Sequence, residues 1–210
     1  MRFNKIEKGF QYAFSAALRA YRRGSIAIGC AIMNTSNECI ATGENSIYAD
    51  DNSEKINRHN LAHAEINAIL KAGSGRSNKD VSNYTLYTTM EPCIMCFGAI
   101  VMCYYKNVKF ATVDPIGGAT QVNIAKYDSI KFEGPFEYLQ DIQIALTIYR
   151  GFALNLSHIK MMIERYSGIS EYGVAFLGKK LYDDAVFNNF INQEVYVTDE
   201  ELFDYMFERL

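Results

Sequence analysis

The chain has 210 residues and a formal net charge of −3, with 49 % hydrophobic and 21 % charged residues. This is ordinary globular composition, and the length suits one domain or one domain with an appendage. No apolar run approaches the length of a membrane span, and the N-terminal sequence MRFNKIEKGFQYAF lacks the apolar core of a signal peptide, so we expect a cytoplasmic protein. Five cysteines, an odd number, do not indicate a disulfide framework.

The first part of the chain alternates between helical and strand patterns. The predicted elements are, in order, a helix over 4–23, strands over 25–34 and 38–42, a helix over 61–72, a strand over 84–89, a helix over 92–104 and a strand over 108–113. The polar stretch 43–60 predicts a long loop, a kind of segment that is often functional. Because a strand, a helix and a strand follow one another from residue 84, we expect the last two strands to run parallel.

After about residue 132 the pattern becomes mostly helical, beginning beyond Gly134-Pro135. Apolar periodicity predicts helices over 138–150 and 152–166, separated by Gly151, and a further helix over 180–191. Thr198 and Glu201 have the spacing of a capping box, which predicts a final helix. We therefore divide the chain into 1–132 and a mostly helical extension, 133–210, that contains no catalytic motif.

Two short stretches combine metal-ligand chemistry with a carboxylate. Cys93 and Cys96 have C-x-x-C spacing at the start of a predicted helix, with Pro92 suited to the first helical position, so both sulfurs can face one way. His63 supplies an imidazole as a third ligand. Three nitrogen and sulfur ligands leave a fourth tetrahedral position for water, as in a catalytic zinc site. Glu65, two residues after His63, is placed to move the proton of that water.

Two other interpretations of these residues are open at this point. His59 lies four residues before His63, so the two imidazoles and two thiols could form a closed Cys₂His₂ zinc site in a non-catalytic binding module. Cys93 and Cys96 could alternatively be a redox pair. The domain has enough apolar residues to fold without a metal, and neither alternative explains a glutamate beside His63. We therefore favour the open catalytic site.

The combined pattern, in HAEINAI and TLYTTMEPCIMCFGAI, resembles the zinc deaminase signature H-x-E followed by P-C-x-x-C. Over roughly residues 5–130 the sequence is similar to the cytidine and deoxycytidylate deaminase superfamily, most of all to the branch of tRNA adenosine deaminases and guanine deaminases. The resemblance implies an α/β fold, a three-layer α/β/α sandwich with a mixed five-stranded sheet, plus an extra helical C-terminal region. It makes 1–132 a zinc-dependent deaminase domain and implies a homodimer.

The resemblance also implies roles for particular residues. Glu65 corresponds to the glutamate that transfers protons, Asn45 to an asparagine that contacts the substrate base, and the main-chain N–H of Ala64 to another substrate contact. Glu91 and Asp114 are also acidic, but we expect Asp114 to order its turn. The stretch AIGCA, residues 27–31, departs from the family pattern P-x-G-A, which alters the expected shape of the base pocket.

The sequence indicates the type of reaction more narrowly than it indicates the substrate. At Ile116, tRNA adenosine deaminases usually carry a lysine, and the sequence pI is about 5.7. An RNA enzyme should attract phosphate, so we favour a free purine or pyrimidine base, a nucleoside or a related aminoheterocycle. A tRNA-specific adenosine deaminase is the alternative. The first 23 residues are basic and the last helix is acidic, and we interpret both as solvated faces.

Overall fold

A computed structural model of the chain describes residues 2–73, 81–122, 130–170, 173–183 and 198–208. Two short 3-10 helices cover Phe3–Lys5 and Val81–Asn83. The α-helices are α1 (Lys8–Arg22), α2 (Ala64–Ala72), α3 (Ile94–Met102), α4 (Glu137–Ala153), α5 (Ile159–Ser167), α6 (Val174–Asp183) and α7 (Asp199–Phe207). The strands are β1 (Gly29–Met33), β2 (Cys39–Glu44), β3 (Thr85–Met90), β4 (Asn107–Thr112) and β5 (Lys131–Glu133).

The five strands form one mixed sheet in the order β2-β1-β3-β4-β5. β1 pairs antiparallel with both β2 and β3, whereas β3–β4 and β4–β5 are parallel. The parallel pair β3–β4 is joined through α3, as the succession of patterns predicts. The hairpin and the crossover unit therefore share one sheet, with β3 at its centre between β1 and β4.

Helices cover both faces of this sheet. One apolar core joins α1 and α4–α7 to one face, with Phe10, Phe14, Leu139 and Ile142 fully buried in it. A second core lies under α2 and α3 and includes Ile69 and Ile100. The three-layer α/β/α prediction is confirmed, and the additional C-terminal helices pack in the same core as α1.

Two predicted helix starts are wrong by two or three residues. α2 begins at Ala64, not at residue 61, because His63 has an extended backbone and caps the helix. Pro92 is not the first helical residue, since α3 begins at Ile94 and Cys93 is its N-cap. Both shifts place a predicted metal ligand at the cap itself, where backbone N–H groups have no intrahelical acceptor.

Gly151 does not separate two helices, which corrects another prediction. α4 continues through it to Ala153, and α5 starts only at Ile159. A Cβ atom at Gly151 would lie 2.5 Å from Cδ1 of Ile159, so the missing side chain lets α5 pack against α4. The glycine therefore serves a contact between helices and does not end one.

The C-terminal end of the described chain returns to the N-terminal end. The predicted capping box of Thr198 and Glu201 is confirmed at the start of α7. Phe203 of α7 packs against Phe3 and Phe14, with ring centroids 5.3 Å apart in both pairs. The predicted helix over 180–191 overlaps α6, which begins at Val174, but residues 184–191 lie outside the described part.

The basic and acidic segments are partly paired with each other. Nη1 of Arg22 lies 2.6 Å from Oδ1 of Asp199, and the backbone N–H of Phe3 donates to Oδ1 of Asp204 at 2.7 Å. At these positions the expectation of two solvated faces is wrong, because α7 docks beside α1. Within the described ranges, no helix combines the length and the apolarity that crossing a membrane requires.

Candidate metal centre

The three predicted ligands lie at the N-terminal ends of two neighbouring helices. His63 is the N-cap of α2, Cys93 is the N-cap of α3, and Cys96 is the third residue of α3. α2 and α3 cover the same face of the sheet, so their first turns come together. The positive end of a helix favours the thiolate form of cysteine that metal binding requires.

A glycine in β2 allows α2 to lie close enough to the sheet. A Cβ atom at Gly43 would lie 2.1 Å from the carbonyl oxygen of Ala64 and 2.3 Å from the backbone nitrogen of Ala68. No other residue could occupy this position without moving the helix. The position of His63, at the cap of α2, therefore depends on Gly43.

The donor atoms have the spacing of a tetrahedral zinc site. Sγ of Cys93 and Sγ of Cys96 are each 3.6 Å from Nδ1 of His63, and all three donor atoms lie within 4.8 Å of one another. Zinc bound about 2.3 Å from sulfur and about 2.0–2.1 Å from nitrogen, in a tetrahedron, places those two donors about 3.6 Å apart. His63, Cys93 and Cys96 therefore fit a zinc ion with one position left for a non-protein ligand.

The electrostatics of the three side chains favour deprotonated sulfur at Cys93. A hydrogen bond from Cys96 lowers the pKa of the Cys93 thiol to about 3, with His63 adding to the effect and burial opposing it. The same hydrogen bond, together with burial, raises the pKa of Cys96. The surrounding groups therefore stabilise a thiolate at Cys93 but not at Cys96. A bound divalent cation would allow both cysteines to be thiolates.

Glu65 lies directly beside this ligand set and is only 3 % exposed. Its Oε1 accepts a hydrogen bond from Oγ1 of Thr88 at 3.3 Å, and its Oε2 accepts one from the thiol of Cys96 at 3.4 Å. Burial raises the pKa of its carboxyl group. When Cys96 binds a metal it becomes a thiolate and has no proton to donate. Oε2 of Glu65 is then free to accept a hydrogen bond from another donor beside the ligands.

A cavity of about 50 Å³ adjoins the ligand set, and its walls include four of the predicted site residues, Asn45, His63, Glu65 and Cys93. Oδ1 of Asn45 accepts from Oγ of Ser25 at 2.8 Å and from the N–H of Ile47 at 3.2 Å, so its amide NH₂ remains as a donor. The Ala64 N–H lies in the first turn of α2, where an intrahelical acceptor is absent.

Sequence reasoning missed two apolar walls of this cavity, Ile28 and Met90. Ile28 lies within the stretch that departs from the family pattern, which was a usable signal. Met90 ends β3 directly before Glu91, and nothing in its sequence context marks it as a wall of the site.

Glu91 also lines the cavity, but its oxygens are occupied by the loop that follows β4. Oε2 accepts from the N–H of Asp114 and Oε1 from the N–H of Thr120, both at 3.0 Å. Asp114 accepts from the N–H of Ile116 at 3.0 Å, which confirms that it orders its turn. These two carboxylates therefore hold the loop over the site.

The structure does not form the alternative Cys₂His₂ site. His59 is exposed, and its Nδ1 accepts a hydrogen bond from the N–H of Leu61 at 3.1 Å. Among the described residues, the group of donor atoms close enough to share a metal contains His63, Cys93 and Cys96 and no second histidine. The site therefore has the open ligand set of a catalytic centre.

Comparison with known proteins agrees with this geometry. A cytosine deaminase of Candida albicans is 34 % identical over 105 residues, which are 49 % of this chain and 63 % of that protein. A tRNA-specific adenosine deaminase of Buchnera aphidicola is 36 % identical over 110 residues, 52 % of this chain and 68 % of that protein. The solved structure of a guanine deaminase from Nitrosomonas europaea has the same fold, with a TM-score of 0.55 at 21 % identity over 70 % of this chain and 84 % of that one.

The family model of the cytidine and deoxycytidylate deaminase zinc-binding region matches residues 3–112, more than half of the chain. That region contains all three ligands, Glu65 and Asn45. The chain therefore belongs to the cytidine and deoxycytidylate deaminase family of zinc-dependent hydrolytic deaminases, with His63, Cys93 and Cys96 positioned to hold the zinc ion.

Proposed function

We propose that this protein removes the exocyclic amino group of a free purine or pyrimidine base, a nucleoside or a related aminoheterocycle by hydrolysis, releasing ammonia. The observation that carries the reaction type is the buried carboxylate of Glu65, held 3.4 Å from a metal-ligand sulfur at the wall of a small cavity. A carboxylate in this place can exchange protons with anything bound at the open ligand position.

Each residue of the site has a separate role in the proposed reaction. His63, Cys93 and Cys96 would hold the zinc ion, which when bound would make a water molecule acidic enough to ionise at neutral pH. Glu65 would take one proton from the water and give it to a ring nitrogen as the water oxygen bonds to the carbon that carries the amino group. It would then take the second proton, from the hydroxyl group of the tetrahedral adduct, and give it to the amino group, which leaves as ammonia when the C–N bond breaks and the C=O bond forms. The amide NH₂ of Asn45 and the N–H of Ala64 donate hydrogen bonds that orient the ring. Thr88 keeps the carboxylate of Glu65 in position.

The surroundings of the site support a small substrate. Ile116, at the position where tRNA adenosine deaminases usually have a lysine, is 48 % exposed in the turn that Asp114 orders and offers no charge to a phosphate. The arginines at the C-terminal end of α1 and at its C-cap are already paired: Arg19 and Arg23 both bind Glu44, and Arg22 binds Asp199. A nucleic acid would have to compete with these carboxylates, which weakens any electrostatic attraction.

Deamination of adenosine in tRNA is the second candidate. The observation in its favour is that several similar proteins, that of Buchnera aphidicola included, are named tRNA-specific adenosine deaminases. The match to the Buchnera aphidicola protein covers 52 % of this chain. The two candidates share their chemistry and differ in what lies next to the reacting ring.

A parallel assay separates them. Zinc-loaded protein is incubated with a panel of aminopurines, aminopyrimidines and their nucleosides, and ammonia release is measured. The same preparation is incubated with tRNA, and inosine is quantified. We expect ammonia from at least one small substrate and no inosine. Inosine without ammonia from the panel would establish the tRNA reaction instead, and the Glu65→Gln variant controls for contaminating deaminases.

We also propose that the protein forms a homodimer through the outer face of α2 and α3. Leu70, Ile94 and Met102 are large apolar side chains exposed on these adjacent helices, and Met102 is 65 % exposed. Exposed apolar clusters of this kind commonly mark an interface. Sedimentation should give a dimer for the native chain and a monomer for Met102→Glu, whereas an unchanged mass would contradict this interface.

A further inference from the structure

A second, larger cavity lies next to the metal centre. Its volume is about 170 Å³, against about 50 Å³ for the cavity at the ligands. Ile28, Met90 and Asp114 line both, so the two spaces share a wall and adjoin each other. We call the larger space the annex. Anything bound with its reacting ring at the zinc ligands has the annex beside it.

The annex is built largely by the C-terminal helices. α4 contributes Thr147 and Gly151, the segment between α4 and α5 contributes Leu154 and Leu156, and α5 contributes Met162. These residues lie beyond the region that the family model matches, which ends at residue 112. The part of the chain without a recognisable motif therefore supplies most of one side of the space next to the catalytic centre.

The walls of the annex are mainly hydrocarbon, and two of its polar side chains, Tyr166 and Arg150, already have partners. Oη of Tyr166 donates to Sδ of Met90 at 3.4 Å. Nε of Arg150 donates to the carbonyl oxygen of Ser25 at 2.8 Å, and its guanidinium lies over the ring of Tyr21. An apolar cavity of about 150 Å³ is large enough to hold benzene. The annex therefore suits a compact hydrocarbon group.

The outer edge of the annex reaches the surface. Ile116 and His158 line it, and both are exposed. Ile116 belongs to the loop that Glu91 and Asp114 hold over the metal centre. A group in the annex would therefore contact the loop of the catalytic domain on one side and α5 on the other.

We propose that the annex binds a hydrocarbon substituent, alkyl or aryl, carried by the ring that is deaminated. This inference rests on the proposed function, since it extends the substrate from a bare aminoheterocycle to a substituted one. The substituent determines specificity through burial: each methylene group removed from water strengthens binding about fourfold. A butyl or phenyl group should therefore raise kcat/KM at least tenfold over hydrogen.

Binding to the annex can be measured without any reaction. In zinc-loaded protein labelled at the methionine methyl groups, benzene is titrated and carbon-13 methyl resonances are followed. Met162 and Met90 should shift, whereas Met206, buried in α7, should not. Leu154→Trp fills the annex and should abolish the shifts. Leu177→Trp changes a leucine of α6 that is also partly buried but lies outside the annex, and it should preserve them.

Absence of shifts at Met162 and Met90 in the native protein, or shifts that persist in Leu154→Trp, would overturn the annex as a binding site. If Leu154→Trp does not fold, Leu154→Phe fills part of the same space and should reduce the benzene affinity at least threefold.

The substrate arm compares aminopurines and aminopyrimidines bearing hydrogen, butyl or phenyl on a ring atom. We expect the ratio of kcat/KM for substituted over unsubstituted rings to be at least ten, to fall at least tenfold in Leu154→Trp, and to be unchanged in Leu177→Trp. A ratio near one with measurable ammonia release would refute the annex proposal alone. No ammonia from any ring, with benzene still bound, would refute the proposed function instead.

Discussion

Replacing Glu65 by glutamine tests the proposed proton transfer most directly. Glutamine has nearly the same size as glutamate, and residue 65 is only 3 % exposed. The amide oxygen of the glutamine can still accept the hydrogen bond that Oγ1 of Thr88 donates to Oε1 of Glu65 over 3.3 Å in the native protein. The new NH₂ can donate to the sulfur of Cys96, which is 3.4 Å from Oε2. The fold and the zinc ligands should therefore be unaffected, while the ability to accept and return a proton is lost.

The expected loss follows from what the carboxylate does. General acid–base catalysis contributes about 10²–10⁴-fold to a rate, or about 3–5 kcal/mol of barrier. Glu65 would serve both proton transfers, to the ring nitrogen and to the leaving ammonia, so we expect a loss toward the upper end of this range. Zinc content by elemental analysis and ammonia release on an accepted substrate measure the two halves of the prediction.

Glu91→Gln is the matched control. Glu91 is also buried and lines the same cavity, but its oxygens accept from the backbone of the loop after β4. Its replacement should lower the melting temperature and reduce kcat less than tenfold. Full turnover in Glu65→Gln, or an equal loss in both variants, would refute the role given to Glu65. Loss of zinc in Glu65→Gln would instead show that the carboxylate supports the metal.

Three further predictions concern the metal and the framework around it. Gly43→Ala places a methyl group 2.1 Å from the Ala64 carbonyl oxygen, so α2 and the His63 ligand at its start have to move. A zinc titration should show at least tenfold weaker binding, and an unchanged zinc affinity would contradict this contact. Leu139→Ala leaves a cavity in the core under α4 and should lower the free energy of unfolding by about 2–5 kcal/mol in denaturant titration. A loss below about 1 kcal/mol, the size of a surface effect, would contradict the buried position of Leu139. Thr198→Ala removes the α7 cap and should cost about 1 kcal/mol by the same measurement, with Thr198→Ser retaining most of the stability.

Much of the framework could be predicted because it depends on local patterns. Apolar spacing located α1, and a strand–helix–strand succession predicted the parallel pair β3–β4. The ligand set could be predicted because C-x-x-C spacing at a helix start brings Cys93 and Cys96 together whatever the rest of the chain does. Gly151 shows the limit of such reasoning: glycine is typical of a helix end, but here it admits Ile159 of a neighbouring helix. Only the packed structure distinguishes the two.

The sequence by itself predicted the zinc ligands and the adjacent carboxylate, because their residue types and spacing match the zinc deaminase signature H-x-E followed by P-C-x-x-C. The tertiary structure decided what surrounds that chemistry. It pairs Arg22 with Asp199, brings His63 to Cys93, and places Met162 in a cavity that shares lining residues with the one at the zinc ligands. Contacts of this kind join residues far apart in the chain, and they depend on how whole helices pack, which no local pattern encodes.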